Sequence, residues 1–453
     1  MLNAERLSTA DLHEELARRG VRFMIPSYVD MHGVSKSKMV PLAHIERMMD
    51  GSELCTGAAL DGVPQELHEE EVSAHPDPAS CAILPWQTDV AWFASDLWCE
   101  GRPFEPCSRN ILKRTLERLA GHGLTAKVGV EAEFFVLRDT EDGGYAPVSD
   151  RQHLAKPAYD VKRLLDNLPW IGELVDAMNE LGWDVFSFDH EDGIGQFELD
   201  FAYAPALRMA DRYVFFRWMA GEIARRHGHF ASFMPKPFAE RAGSGAHYNI
   251  SLWDEAGEVN LFAGDDDPRG NKLSRLGYRF TAGLLKHLPA LSAVIAPTVN
   301  SYKRLILKGS RSGFTWAPVF VCYGDNNRSN TVRIPLPGQR IEIRSADPSC
   351  NPYLGIAMAL AAGLEGIAEE LDPGPPHRDN MYEKSEAELA AEGVAWLPRT
   401  LDQALDALDA DPLGRAVMGD AMYDSWMRYK RDEWKSYLNH VSDWEKERYL
   451  KFF

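Results

Sequence analysis

The run Val130–Val136, VEAEFFV, has the β-branched and aromatic content of a buried strand, yet it carries Glu131 and Glu133 two positions apart. Side chains at i and i+2 of a strand share a face, so the two carboxylates stand side by side. At roughly 6 Å and an effective dielectric near ~20, their repulsion is on the order of 3 kcal/mol. A fold that accepts this strand must either open that face to water or set a cation against it.

Other segments repeat the pattern. In AHYNISLW, Tyr248, Ile250 and Leu252 alternate with His247, Asn249 and Ser251. In QFELDF, Phe197, Leu199 and Phe201 alternate with Gln196, Glu198 and Asp200, and the turn Asp192-Gly193-Ile194-Gly195 would fold Glu191 back towards Glu198. RIEIR alternates Ile341 and Ile343 with Arg340, Glu342 and Arg344, and Arg333 sits likewise in TVRI. Any one of these is an ordinary one-sided sheet with its polar face in water. Together they hold Glu, His, Asn and Arg and no Lys, which predicts polar faces converging on a cavity. Carboxylates of Glu131, Glu133, Glu191, Glu198 and Glu342 with the His247 imidazole make an oxygen-rich set suited to Mg²⁺ or Mn²⁺. Divalent ions beside arginines are the equipment for phosphoryl transfer from a nucleotide. No GxxxxGK[ST] phosphate loop is present. Gly243-Ser244-Gly245, beside His247, permits close backbone approach.

With 453 residues, 45% of them hydrophobic, the chain has core enough for two or more folding units. A small β-rich unit is predicted up to Pro106-Cys107-Ser108, where Ser108 would cap an amphipathic helix over 109–120. Alternating helices and strands follow, then a Pro- and Gly-rich loop (LDPGPPHRD) and a helical tail. The tail's Tyr423, Trp426, Tyr429, Trp434, Tyr437 and Trp444 read as packing or subunit contacts. The acidic run Glu69-Glu70-Glu71 reads as a solvated loop. A formal net charge of −19 argues against a nucleic-acid or anionic-membrane partner. The N-terminal residues lack an apolar leader core and no uncharged run reaches membrane-spanning length, so a cytoplasmic location is expected. Cys55, Cys81, Cys99, Cys107, Cys322 and Cys350 show no CxxC spacing and read as reduced thiols.

In this order, VEAEFF, GQFE, FMPKP with GSGAHYNISL, APTVNSYKRL, NNRSNTVRIP, and RIEIR with DPSCNPYL resemble the glutamine synthetase superfamily over nearly the whole chain. The resemblance implies an α+β fold: an N-terminal β-grasp domain over 1–107, and over 108–453 a catalytic domain whose curved antiparallel sheet forms a bifunnel ringed by helices. It implies ATP and roughly two or three Mg²⁺ or Mn²⁺ ions per site. One ion would lie on Glu133, Glu191 and Glu198 and another on Glu131, His247 and Glu342. Arg304 and Gly243 would bind glutamate, Arg344 would steady its γ-carboxylate, and Arg328 and Arg333 would clamp phosphate. Ser251 and Asn249 would lie at the nucleotide. Relatives build two stacked hexameric rings, in which Asp61 would reach a neighbour's active site to hold the amine.

Several positions depart from the family pattern. The flap after NSYKRL, here LKGSRSGFTWAP, has no carboxylate, and the ammonium latch DGSS has become Asp61-Gly62-Val63-Pro64. Ala242 replaces an asparagine before GSG, and Asn249 stands where the family carries histidine. Ammonium offers four N–H donors and no carbon; Val63, Phe314 or Trp316 near the amine would remove acceptors and leave room for a methyl group, worth about 1 kcal/mol buried. These features are most similar to γ-glutamylmethylamide synthetases and glutamine synthetase III-like enzymes, so methylamine is the expected amine, with ammonia or another small amine as alternatives. A non-catalytic scaffold would have lost metal ligands or arginines, and none is missing. Tyr382 sits where some relatives are adenylylated, but its neighbours differ and it reads as a plain surface tyrosine.

Overall fold

The computed structural model describes residues 7–60, 62–148, 155–310 and 313–453, with the side chains of 308–310 and 314 left out. Two sheets organise the chain. The N-terminal sheet has eight strands, and its Phe23–Val29 strand runs parallel to Gln87–Cys99. The second has ten strands, in the order Val185–His190, Gln196–Phe201, Leu124–Asp139, Ala246–Asp254, Ile341–Ile343, Val332–Ile334 and Tyr323–Asp325. Three short strands pair with Leu124–Asp139 off this path, and the sheet curls into an open half-barrel. Its pairings are antiparallel except the last, Tyr323–Asp325 on Val332–Ile334.

Leu124–Asp139 sets the register. Val128, Val130, Ala132, Phe134 and Val136 are all buried on one face, facing helices that include Ala206–Arg226. A one-residue slip would turn this row towards the cavity and push Glu131 and Glu133 into the core, at a cost of roughly 1.5–3 kcal/mol for each large apolar side chain exposed. The alternation read from the sequence is therefore enforced by what lies behind it. Arg275–Ile295 and Pro352–Ala368 form a closely packed helix pair. They approach so closely that a Cβ on Gly283 would lie 2.1 Å from the Ala362 carbonyl oxygen, a contact that only glycine accepts.

The loop after Phe23–Val29 is tied to the helices behind the second sheet: Asn351 Nδ2 donates to the carbonyls of Asp30 (3.1 Å) and Met31 (3.2 Å), and Arg217 donates to that of Gly33 (2.7 Å). The helix expected to be capped by Ser108 spans Ser108–Ala120, but Ser108 is its first helical residue; Cys107 holds the cap position without a side-chain bond. Its first turn is anchored instead by Arg109, buried against Asp77 (2.7 Å), Asp96 (2.7 Å) and Asp211 (2.9 Å). The Glu69–Glu71 run is exposed as expected. Of the tail aromatics, Tyr423 and Trp426 are core residues, whereas Tyr429, Tyr437 and Trp444 are exposed. No helix among the described residues is long and apolar enough to cross a membrane.

Candidate active site

Strand register brings the predicted residues into one row. Glu133 stands opposite Glu198, Glu131 opposite His247, Asn249 opposite Glu342, and Arg333 opposite Glu342 on the next strand. Residues opposite each other in a ladder share a face a few ångströms apart. Segments far apart in sequence thus supply a continuous band of charge. Glu191 joins it from the turn, where its N–H donates to the Gln196 carbonyl (2.9 Å).

The band lines a cavity of about 330 Å³ walled by Glu131, Glu133, Glu191, Glu198, His247, Arg304, Arg328 and Arg344, with Ala242, Gly243, Trp316 and Ala317 at its rim. A second cavity of about 460 Å³ contains Asn249, Ser251, Trp253 and Tyr203, and Glu131 lines both.

Within the band, His247, Glu131 and Glu342 present ligand atoms within 4.8 Å of one another. His247 Nδ1 lies 2.9 Å from Glu131 and 3.5 Å from Glu342. Burial, then the nearby Arg344, lowers the His247 pKa and keeps the imidazole neutral. Glu131 is held down to about 2: its burial is outweighed by the hydrogen bond with His247 and by one from Asn249 Nδ2 (3.0 Å). The other group behaves oppositely. Burial and then the Glu191 charge push Glu133 up to about 8, and burial and neighbouring carboxylates raise Glu191 and Glu198 as well. Glu133, Glu191 and Glu198 resist ionising together and are short of positive charge, while the second group offers an imidazole nitrogen and two carboxylates within reach of one another. A divalent ion fits both groups.

The loop Gly243-Ser244-Gly245 holds this arrangement. Gly245 N–H donates to Glu133 Oε2 (2.7 Å), and a Cβ at Gly245 would lie 2.4 Å from His247 Nε2. The Gly243 carbonyl accepts from Gln196 Nε2 (3.2 Å), which also donates to Glu133 Oε2 (3.1 Å). Arg304 is 4% exposed and donates to the backbone carbonyls of Ser345 (3.2 Å) and Arg344 (2.9 Å). Among the described residues no carboxylate pairs with it. Burial lowers its pKa, so an anion arriving in the cavity meets a guanidinium that gains from company.

Some expectations are corrected. Arg333 does not line either cavity: it and Arg344 both grip Glu342 at 2.6 Å, because a fully buried carboxylate is costly unless neutralised. Glu342 is accordingly screened from the first cavity. Asn249 does more than edge the second cavity, since its Oδ1 accepts from Arg340 Nε (2.8 Å) while its amide steadies Glu131. Trp316 lines the first cavity, but Val63 does not; it is buried near Gly57. Asp61 and the Phe314 side chain lie outside the described residues. Tyr382 is not a plain surface tyrosine: it is half-buried and its hydroxyl donates to the Ala317 carbonyl (3.0 Å). Sequence reading did not assign roles to Gln196, Asp189 or Asp200. Burial and then Glu191 push Asp189 up to about 7; burial and then Glu131 push Asp200 up to about 6. Asp189-His190-Glu191 has the same spacing as Glu131-Ala132-Glu133, a signal that could have found it.

Comparison with known proteins agrees with this geometry. The catalytic-domain family described as "Glutamine synthetase, catalytic domain" matches residues 105–449. A glutamate–methylamine ligase of Methyloversatilis universalis is 41% identical over 448 residues, covering 99% of this chain and 100% of the relative. A glutamine synthetase of Rhizobium leguminosarum bv. phaseoli is 40% identical over 442 residues, 97% of this chain and 99% of that one. A solved structure described as a GmaS/ADP complex superposes with a TM-score of 0.89 at 40% identity, covering 97% of this chain and 99% of that chain. The sheet-borne carboxylates and the full-length matches lead to one conclusion: the chain belongs to the glutamine synthetase family.

Proposed function

We propose that this protein is an ATP-dependent ligase that joins L-glutamate and methylamine into γ-glutamylmethylamide, with glutamate and ammonia as the second reading. The observation that carries the proposal is the single cavity in which carboxylates, His247, Arg304, Arg328 and Arg344 meet beneath a flap whose wall residue is Trp316. The relative named for glutamate and methylamine matches along its full length and supports the choice of amine.

A carboxylate resists attack by an amine, so the γ-carboxylate of glutamate must first be activated. Its oxygen attacks the γ-phosphorus of ATP, an O–P bond forms, and ADP leaves with the electron pair of the broken bond. The amine nitrogen then attacks the acyl carbon, the C–N bond forms as the C–O bond to phosphate breaks, and the departing phosphate carries off the proton the nitrogen loses. Glu133, Glu191 and Glu198 would hold one divalent ion, and Glu131, His247 and Glu342 another, as Mg²⁺ or Mn²⁺. Such ions neutralise the polyphosphate and the charge that develops on the leaving group. Arg304 receives the α-carboxylate beside the Gly243 backbone. Arg344 steadies the γ-carboxylate and Arg328 draws the transferring phosphoryl group, while Arg333 holds Glu342. Ser251 and Asn249 face the nucleotide in the adjoining cavity. Asp61 anchors the amine, and Trp316 packs against its methyl group.

In this reading the chain divides into a β-grasp unit over 1–107 and a catalytic unit over 108–453, and assembles as two stacked hexameric rings in the cytoplasm. Steady-state kinetics with glutamate, ATP and either amine test the reading. A higher kcat/KM for methylamine is expected. A higher value for ammonium selects the second reading, and no amine-dependent ADP release with either overturns both.

A further inference from the structure

Two walls of the first cavity meet at one phenol. The flap that ends at Trp316-Ala317 and the loop that carries Arg328 both wall the first cavity, yet neither belongs to the ladder that holds the carboxylates. Tyr382 comes from a third segment, the short turn Met381–Glu383. Its hydroxyl donates to the Ala317 carbonyl at 3.0 Å, with the Arg328 carbonyl 3.5 Å away. The ring packs against the apolar cluster that contains Val319, Phe320, Cys322 and Met381. The turn itself is clamped from below: Met381 N–H donates to Ser329 Oγ (3.1 Å), and Asn327 Nδ2 donates to the carbonyls of His377 (3.0 Å) and Asp379 (2.7 Å).

Burial pushes the Tyr382 phenol up to about 12, so it keeps its proton and stays a donor at neutral pH. The single proton is directed at the nearer acceptor, the flap. A side chain of this kind, anchored at both ends and reaching a backbone carbonyl next to a cavity wall, controls where that wall stands.

We propose that Tyr382 is a positioning residue for the amine, a tether that fixes the C-terminal end of the flap, and with it Trp316, against the Arg328 loop. The proposal rests on the ligase reading for its kinetic consequence but not for its mechanical one. It also assigns the phenol a structural bond that a surface modification site would not have.

The test is Tyr382→Phe, which removes the hydroxyl and keeps the ring. The loss of one partly buried neutral hydrogen bond corresponds to roughly a three- to tenfold change in the equilibrium it supports. Amide hydrogen exchange over 315–320 in the ligand-free protein is expected to accelerate by that factor. The amine KM should rise by the same factor while the glutamate KM stays within about twofold. Ser329→Ala, which loosens the clamp under the turn that carries the phenol, should accelerate the same amides by no more than Tyr382→Phe does. Unchanged exchange in Tyr382→Phe overturns the tether. Faster exchange with an unmoved amine KM, or a fall in kcat alone, overturns the role in amine positioning. If the wild-type protein makes no amide at all, the ligase reading fails and exchange by itself still decides the tether.

Discussion

Replacing Glu133 by glutamine should stabilise the metal-free protein at pH 8 and do nothing at pH 4.5. Glu133 Oε2 accepts from both Gly245 N–H (2.7 Å) and Gln196 Nε2 (3.1 Å), and the glutamine oxygen can keep both bonds. The new amide then occupies the place of Oε1, which lies 3.8 Å from His247 Nε2. What disappears is a carboxyl that must either take up a proton or bury its charge when the chain folds. Burial, then Glu191, raises the folded pKa from 4.5 to about 8, so between these values the folded chain keeps a proton that the unfolded chain releases. Stability linked to this group is complete below pH 4.5 and falls as pH rises, until it is lost at about 8. The 3.5-unit gap between 4.5 and about 8 corresponds to on the order of 5 kcal/mol. Glu191 and Glu198 share the repulsion, which makes this a ceiling. For a chain of 453 residues with an unfolding entropy of about 2.1 cal/mol/K per residue, that ceiling is a Tm shift of about 5 °C. Thermal melts of chelator-treated wild type and Glu133→Gln, from pH 4.5 to 8.5, should diverge steadily with the variant on top. Saturating Mn²⁺ should narrow the gap by stabilising the wild type more than the variant, which keeps only the Glu131, His247 and Glu342 group intact. A variant equal to or less stable than wild type at pH 8, or an advantage independent of pH, would refute the argument that these carboxylates are short of a cation.

Other consequences follow from the same geometry. Gly245→Ala would put a Cβ 2.4 Å from His247 Nε2 and 2.8 Å from Arg304 Nη2, and should abolish amide formation while circular dichroism remains near wild type. Trp316→Ala should lower the methylamine-to-ammonium ratio of kcat/KM by about fivefold, the value of one buried methyl group; an unchanged ratio means that the indole does not contact the amine.

Glu131, Glu133, Glu198, His247 and Glu342 were legible because a strand has a period of two, and a charged residue out of step with an apolar row shows itself without any tertiary knowledge. The same reading passed over Asp189, although it repeats the spacing, because VFSFDHED offers a weaker apolar row beside it: Phe186 is 69% exposed. Arg333 was placed at the phosphates by its motif, and only the structure revealed that Glu342 holds it at 2.6 Å. Tyr382 looked like a surface residue because nothing local to Asn380-Met381-Tyr382 announces that Ala317 lies above it.

Taken alone, the amino-acid order determined which side chains share a face, since alternation is a local property of the backbone, and it determined that those faces are too acidic to stand unneutralised. Only the folded chain decided which strand lies beside which: that His247 falls opposite Glu131, that Glu133 falls opposite Glu198, and that a phenol from a distant turn reaches the flap. Strand neighbours and loop contacts are chosen by the packing of the apolar faces behind them, a sum over the whole core that no short stretch of residues contains.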